Sequence, residues 1–237
     1  MTVTPIHQAC RSCSRRASFH HRKGRIPGER SAFFEDARLM VLCRGRLRAP
    51  LDQHGFTVLD GIVPLDEAKR LRTDLQRLFK FNGHQASSLT HKRGLRSDLV
   101  NGISEHAALS ENLSALYSAI RLIKGLGHEI AIALHDPRLT LPPTVQAACY
   151  PGNGSFYRRH TDNMPLHPES VRDVPTNLKE QLEVFELRCW RTYTIIVYAN
   201  DCWEAKHGGC LRFHHEKGGF TDIEPVAGRA VFFNSMM

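Results

Sequence analysis

The chain has 237 residues, 41% of them hydrophobic, which is enough to bury one sizeable core and fits one domain with appendages. Its formal charge of +8 is concentrated at the front: residues 1–28 hold six Lys or Arg and no acid, leaving about +2 on the rest, an ordinary surface that argues against a nucleic-acid stripe. No apolar run approaches the roughly 20 residues of a membrane span, and seven Cys with no secretory hydrophobic region ahead of them fit a reducing intracellular compartment.

Residues 1–32 are rich in Arg, Ser and His and are expected to be a basic, disordered lead-in; the same composition also fits an organelle transit peptide. Cys10 and Cys13 form a CxxC with His20 and His21 behind, half of a zinc site or part of an untied tail. The globular domain is expected over 33–237, with a first helix through Phe34 to Leu47 and a short strand in HGFTVLDGIV, 54–63. Pro64 suits the first position of the next helix, where Ala68, Leu71, Leu75, Leu78 and Phe79 recur at helical spacing. A polar loop is expected from Asn82 to Arg96. A second amphipathic helix follows over Asn112 to Leu134, with a break near Gly125 or Gly127.

Beyond Pro142 and Pro143 the character changes. TVQAACY, RTYTIIVYAN, CLRF and RAVFFN are short β-branched or aromatic runs separated by glycine-rich turns. Helices first and strands second predict an α+β chain with a mainly antiparallel β core and N-terminal supporting helices. An insertion at 163–190 carries its own helix signal: Asn177 as cap, Glu180 completing a capping box, and Leu178, Leu182 and Phe185 as an apolar stripe.

The chemistry centres on His160 and Asp162. On an extended strand, side chains at i and i+2 share a face, so this imidazole and carboxylate can grip one ion. A His-x-Asp pair with a distant His is the pattern of the facial triad that holds ferrous iron. The flanks, ACYPGNGSFYRRHTDN at 148–163, resemble the iron-binding stretch of the 2-oxoglutarate-dependent prolyl hydroxylases related to the oxygen-sensing enzymes that modify hypoxia-inducible factor. Three further segments agree in order: GLRSDLVNGI (94–103) with that family's Arg-x-Asp loop, YANDCWEAKHGGCLRF (198–213) with its strand, turn and strand, and DIEPVAGRAVFFNS (222–235) with the run leading to its distal His.

The resemblance implies a double-stranded β-helix, a jelly-roll, cupin-like fold, and hydroxylation of a prolyl residue in a protein substrate as part of a hypoxia response. It implies Fe(II), with 2-oxoglutarate and O2 as cosubstrates and ascorbate as a helper. His160 and Asp162 match metal ligands; Tyr150, Tyr198 and Leu211 match the cosubstrate pocket; Tyr157 matches the pocket mouth. Asp98 and Arg191 match a pair that forms a salt bridge beside the peptide groove, although a bland surface ion pair would use the same residues. Trp203 reads as packing. The expected location is the cytoplasm or nucleus, with an organelle, targeted by the basic N-terminus, as the alternative.

On this alignment FFNSMM reaches Met237 without the family's distal His or the Arg that anchors 2-oxoglutarate. His167, His207, His214 and His215 have other addresses. The expectation is an impaired site and an open edge on the β core, in an incomplete copy of an active enzyme or in a short form acting as a binding module; a small-molecule dioxygenase is a further alternative. The identity of the protein substrate and the oligomeric state are left open.

Overall fold

The computed structural model of the chain describes residues 2–12, 49–81, 94, 96–137, 139–152, 154–160, 162 and 189–235. The expected helix at Phe34–Leu47, His20, His21 and the helical insertion lie outside these residues, except that 189 and 190 belong to a strand and not to the insertion.

In chain order the elements are β1 (Thr2–Ser12), β2 (Phe56–Leu59), α1 (Leu65–Phe81), β3 (Leu99–Ser104), α2 (Glu105–Ser110), α3 (Ser114–Ala133), β4 (Leu139–Thr140), β5 (Thr144–Tyr150), β6 (Cys189–Val197), β7 (Leu211–His214), β8 (Phe220–Ile223) and β9 (Ala230–Asn234). The larger sheet has the order β2-β9-β6-β1-β5-β3, with β4 paired to β1, and all its pairings are antiparallel. β7 and β8 form a second, two-stranded sheet. No helix among the described residues is long and apolar enough to cross a membrane.

The runs TIIV and AVFF are apolar without alternation because both faces of β6 and β9 are covered. Ile195, Val197, Ala230 and Phe232 join the large core, where Leu71, Leu75, Leu116, Ile120 and Ile123 of α1 and α3 meet the sheet. Ile196, Tyr198, Val231 and Phe233 point the other way, into a smaller core with Phe213 and Ile223 of the second sheet. Period-two alternation thus divides one pair of strands between two cores. The smaller core places the site.

Pro64 precedes α1, and Asp66 and Glu67 occupy its first turn, where the helix dipole favours negative charge. α3 has no side-chain cap of its own. Asp74 of α1 supplies one from outside: its Oδ2 accepts from the N–H groups of Ala115 (2.8 Å) and Leu116 (3.1 Å). Burial holds this carboxyl above its usual range, against the pull of those two N–H groups and of Arg77. Asp74→Ala is expected to cost about 1–2 kcal/mol, the loss of an N-cap, read as a lower urea midpoint. α3 runs unbroken through Gly125 and Gly127, contrary to the expected break. At Gly127 an added Cβ would meet the side chain of Leu141 at 2.4 Å, so this glycine is there for packing.

Gly228 has φ near +80°, and a Cβ there would stand 2.3 Å from the Val63 carbonyl oxygen. Its N–H donates to the Tyr198 carbonyl (2.9 Å) and its carbonyl accepts from Val63 N–H (3.2 Å), stapling the turn before α1 to the end of β6. Gly228→Ala combines a left-handed backbone with a backbone clash and is expected to cost at least about 2 kcal/mol by chemical denaturation.

Of the expected lead-in over 1–32, residues 1 and 13–32 lie outside the described residues. Thr2–Ser12 is β1, paired through Thr2–Ile6 with β5 and through Ile6–Ser12 with β6. Cys10 and its neighbours therefore belong to a ladder, and β5 and β6 present no open edge toward each other. The β-branched Thr2, Val3, Thr4 and Ile6 suit a strand, and Pro5 stands one residue outside the ladder with β6, which begins at Ile6.

Candidate active site

β5 ends at Tyr150, and the chain turns through Gly152 and Gly154, both at positive φ, before Tyr157 bridges back to Arg96. Ser97 fastens this return twice: its N–H donates to the Phe156 carbonyl (2.9 Å) and its hydroxyl accepts from Phe156 N–H (3.0 Å). His160 and Asp162 follow outside any strand, so their convergence comes from local contacts and not from the strand geometry expected of them.

Those contacts are specific. His160 Nδ1 lies 2.6 Å from the Arg158 carbonyl, which can only accept, so Nδ1 carries the proton. Nε2 lies 3.1 Å from Asp162 Oδ1, an acceptor, and meets it either through a proton of its own or, as a lone pair, through a metal ion. Two ligands each about 2.1 Å from one ion and at right angles stand about 3 Å apart, so this pair fits a metal. A ligating His that donates its other N–H to a carbonyl is the usual arrangement.

Asp162 is held from three sides. Thr194 Oγ1 of β6 donates to Oδ2 (2.5 Å) and Arg191 Nη1 lies 3.2 Å from Oδ1. With its own proton committed to a carboxylate, Thr194 Oγ1 must accept from Ser235, 3.0 Å away. Burial raises the Asp162 carboxyl, but the His160 bond, the Arg191 charge and the Thr194 hydroxyl outweigh it and hold the group at about 2. The carboxylate is ionised at every ordinary pH.

The Tyr157 ring stacks on His160, centroids 3.7 Å apart and planes 19° from parallel, and the Arg96 guanidinium lies 4.1 Å from the Tyr157 centroid. Arg96 also grips Asp98 through two hydrogen bonds of 2.6 Å, and both side chains are buried. The expected Asp98–Arg191 pair is therefore corrected: Arg96 holds Asp98, while Arg191 turns to Asp162. A partner two residues away is nearer than one 93 residues along, and its planar fork matches the carboxylate.

Tyr198 and Leu211 come together in the smaller core. Burial, followed by the neighbouring Tyr150, raises the Tyr198 phenol far above its usual range; burial and the Asp98 charge do the same to Tyr150. Both remain neutral hydroxyls, donors in a low-dielectric setting. Trp203 is half-buried and donates to the Gly208 carbonyl (2.7 Å), fixing the turn before β7. Among the other histidines, His207 Nδ1 accepts from Glu204 N–H (3.1 Å) within its own turn and His215 Nε2 meets the Thr221 hydroxyl of β8 (2.9 Å); His167 lies outside the described residues. Among the described residues no group of three ligating side chains converges.

Arg96, Thr194 and Ser235 belong to the site although the sequence reading did not select them. Arg96 carried a signal, its i, i+2 spacing to Asp98. Thr194 and Ser235 carried none.

Residues 145–237 match the 2OG-Fe(II) oxygenase superfamily. The chain is 32% identical over 194 residues to human prolyl hydroxylase EGLN3, covering 77% of this chain and 70% of that protein. To rat Egl nine homolog 1 it is 28% identical over 190 residues, 77% of this chain and 49% of that protein, about half its length. A Trichoplax adhaerens prolyl hydroxylase, solved in complex with a hypoxia inducible factor oxygen degradation domain peptide fragment, superposes with a TM-score of 0.58 at 19% identity, covering 87% of this chain and 83% of that one. That likeness concerns the fold. The chain belongs to the 2OG-Fe(II) oxygenase superfamily and, within it, to the prolyl hydroxylases.

Proposed function

We propose that this chain is a peptidyl-proline dioxygenase that uses Fe(II), 2-oxoglutarate and O2 to hydroxylate a proline of a protein substrate, in the manner of the oxygen-sensing enzymes of its family. The observation that carries this reading is the facing pair His160 Nε2 and Asp162 Oδ1, 3.1 Å apart, with Thr194 and Arg191 behind the carboxylate. When bound there, iron supplies the redox chemistry that joins 2-oxoglutarate decarboxylation to oxygen activation.

The protein's own residues hold and orient. Arg158 fixes the His160 tautomer through its carbonyl, and Thr194, itself held by Ser235, fixes the Asp162 carboxylate. The neutral hydroxyl of Tyr198 offers a donor to an anionic cosubstrate, with Leu211 as apolar wall and Tyr150, its hydroxyl engaged by Asp98, lining the same pocket. The Tyr157 ring, at the rim against His160, gives a flat apolar surface for a proline ring, with Arg191 beside the groove and the buried Arg96–Asp98 pair supporting the ring from within. The two sheets facing across the smaller core are read as the two walls of a double-stranded β-helix. We further infer ascorbate as the reductant that keeps iron ferrous, and a cytoplasmic or nuclear location, with an organelle as the alternative.

The test is to incubate the chain with Fe(II), ascorbate, 2-oxoglutarate and proline-containing peptides from a candidate library, including hypoxia-inducible-factor sequences. Succinate should form together with one added oxygen on a prolyl residue by mass spectrometry. Hydroxylation of free amino acids alone would replace this reading with a small-molecule dioxygenase. Peptide binding with no succinate would replace it with a binding module.

A further inference from the structure

We propose that Phe156 and Arg158 form a specificity lip on the outer edge of the active site, which holds an acidic residue of the peptide substrate a few positions from the target proline. This rests on the proposed docking of that proline against Tyr157. Tyr157 bridges to Arg96 as an extended residue, so its neighbours Phe156 and Arg158 share the opposite face. The Arg158 guanidinium lies 5.6 Å from the Phe156 ring centroid, while Tyr157 turns to His160 and Arg96. One face of this segment lines the site, and the other forms its lip.

Phe156 is 40% exposed, although its backbone is fastened to Ser97 through both its N–H and its carbonyl. An exposed ring on so fixed a backbone loses little freedom when a partner covers it. A single exposed Phe is ordinary, and it is the charge beside it that points to a ligand. Elsewhere Arg70, Arg72, Arg77, Arg212 and Arg229 each meet a carboxylate. Within the site Arg96 is matched by Asp98, and Arg191 by Asp162. Arg158 and Arg159 are exposed, and neither has a carboxylate partner among the described residues. Two positive charges therefore stand at the entrance without offset, and a peptide that brings its own carboxylate supplies one. A guanidinium held over a ring keeps the in-plane N–H groups that take a carboxylate in bidentate fashion. The lip adjoins Tyr157, which puts the acid about two to four residues from the proline, roughly 7–14 Å of extended peptide.

The test is fluorescence anisotropy on the full chain with Mn(II), using two fluorescein-labelled peptides with one central proline. Aspartates flank the proline on both sides at these positions in the first peptide, and asparagines replace them in the second. The aspartate peptide is expected to bind at least about fivefold more tightly at low ionic strength, with the ratio falling toward one at high salt. Arg158→Gln removes the charge and keeps the bulk, and should cut that ratio by at least about half. Phe156→Ala should weaken the aspartate peptide by at least about twofold. The double Arg158→Glu, Arg159→Glu variant should reverse the order and bind a lysine-flanked peptide best of the three. Equal affinities in the parent, binding of neither peptide, or an acid preference that survives both the Gln and the Glu substitutions would overturn the lip. An acid preference with no hydroxylation of either peptide once Fe(II), 2-oxoglutarate and O2 are supplied would count against the dioxygenase reading and leave the lip standing.

Discussion

Asp162→Ala is expected to lower 2-oxoglutarate turnover by more than about 100-fold, because it removes a ligand and also the anion around which the site is arranged. Three groups lose their partner at once. His160 Nε2 no longer faces an acceptor, the Thr194 hydroxyl loses a 2.5 Å bond, and the Arg191 charge is left beside a cavity. Asp162→Asn separates these effects. It keeps the shape and leaves an oxygen for Thr194, but it removes the charge that offsets both Arg191 and a divalent cation. Turnover should stay as low as in the alanine variant while thermal stability recovers most of its loss. Thr194→Val, which keeps the carboxylate and removes only its support, should cost about 10-fold or somewhat more in Mn(II) affinity. Mn(II) titration and succinate formation, run on all three variants, check the ordering. An alanine variant that binds Mn(II) as tightly as the parent would remove Asp162 from the ligand set.

Much of this arrangement was legible from residue order, for reasons that differ between elements. α1 and α3 announce themselves because their apolar stripes repeat at helical spacing, and packing preserves that stripe. β6 and β9 are legible as unbroken apolar runs because both of their faces are buried. The His160 and Asp162 pair is legible because metal chemistry restricts residue type and spacing together. β3 was hidden: Asn101 and Gly102 have poor strand propensity, and the strand exists because β5 lies beside it. β1 was hidden more deeply. Its partners stand some 130 to 190 positions away, and the basic composition of the 32-residue stretch concealed the β-branched start. Thr194 gives no sign of its role, since a threonine in a strand is ordinary until a carboxylate arrives from the far side of the sheet.

The Arg96–Asp98 pair is where a local choice overrode an expected distant one, and its removal carries the larger effect on stability. Asp98 is fully buried and Arg96 nearly so, held by two 2.6 Å hydrogen bonds. Arg96→Ala leaves a buried carboxylate without its guanidinium, which costs about 3–5 kcal/mol. The same substitution removes the cation from the Tyr157 ring, and Tyr157 in turn positions His160 by stacking. Asp98 also acts on Tyr150, so a freed carboxylate would disturb the cosubstrate side of the pocket as well. Removing both partners should therefore be less damaging than removing Arg96 alone, since no uncompensated charge remains; the double Arg96→Ala, Asp98→Ala variant is expected to regain at least about 1 kcal/mol relative to Arg96→Ala. Guanidinium denaturation of the parent, the two single variants and the double variant measures this directly. Strictly additive losses would mean that the two side chains contribute independently and that the Arg-x-Asp loop is held in place by its backbone bonds to Phe156 and Tyr157 instead.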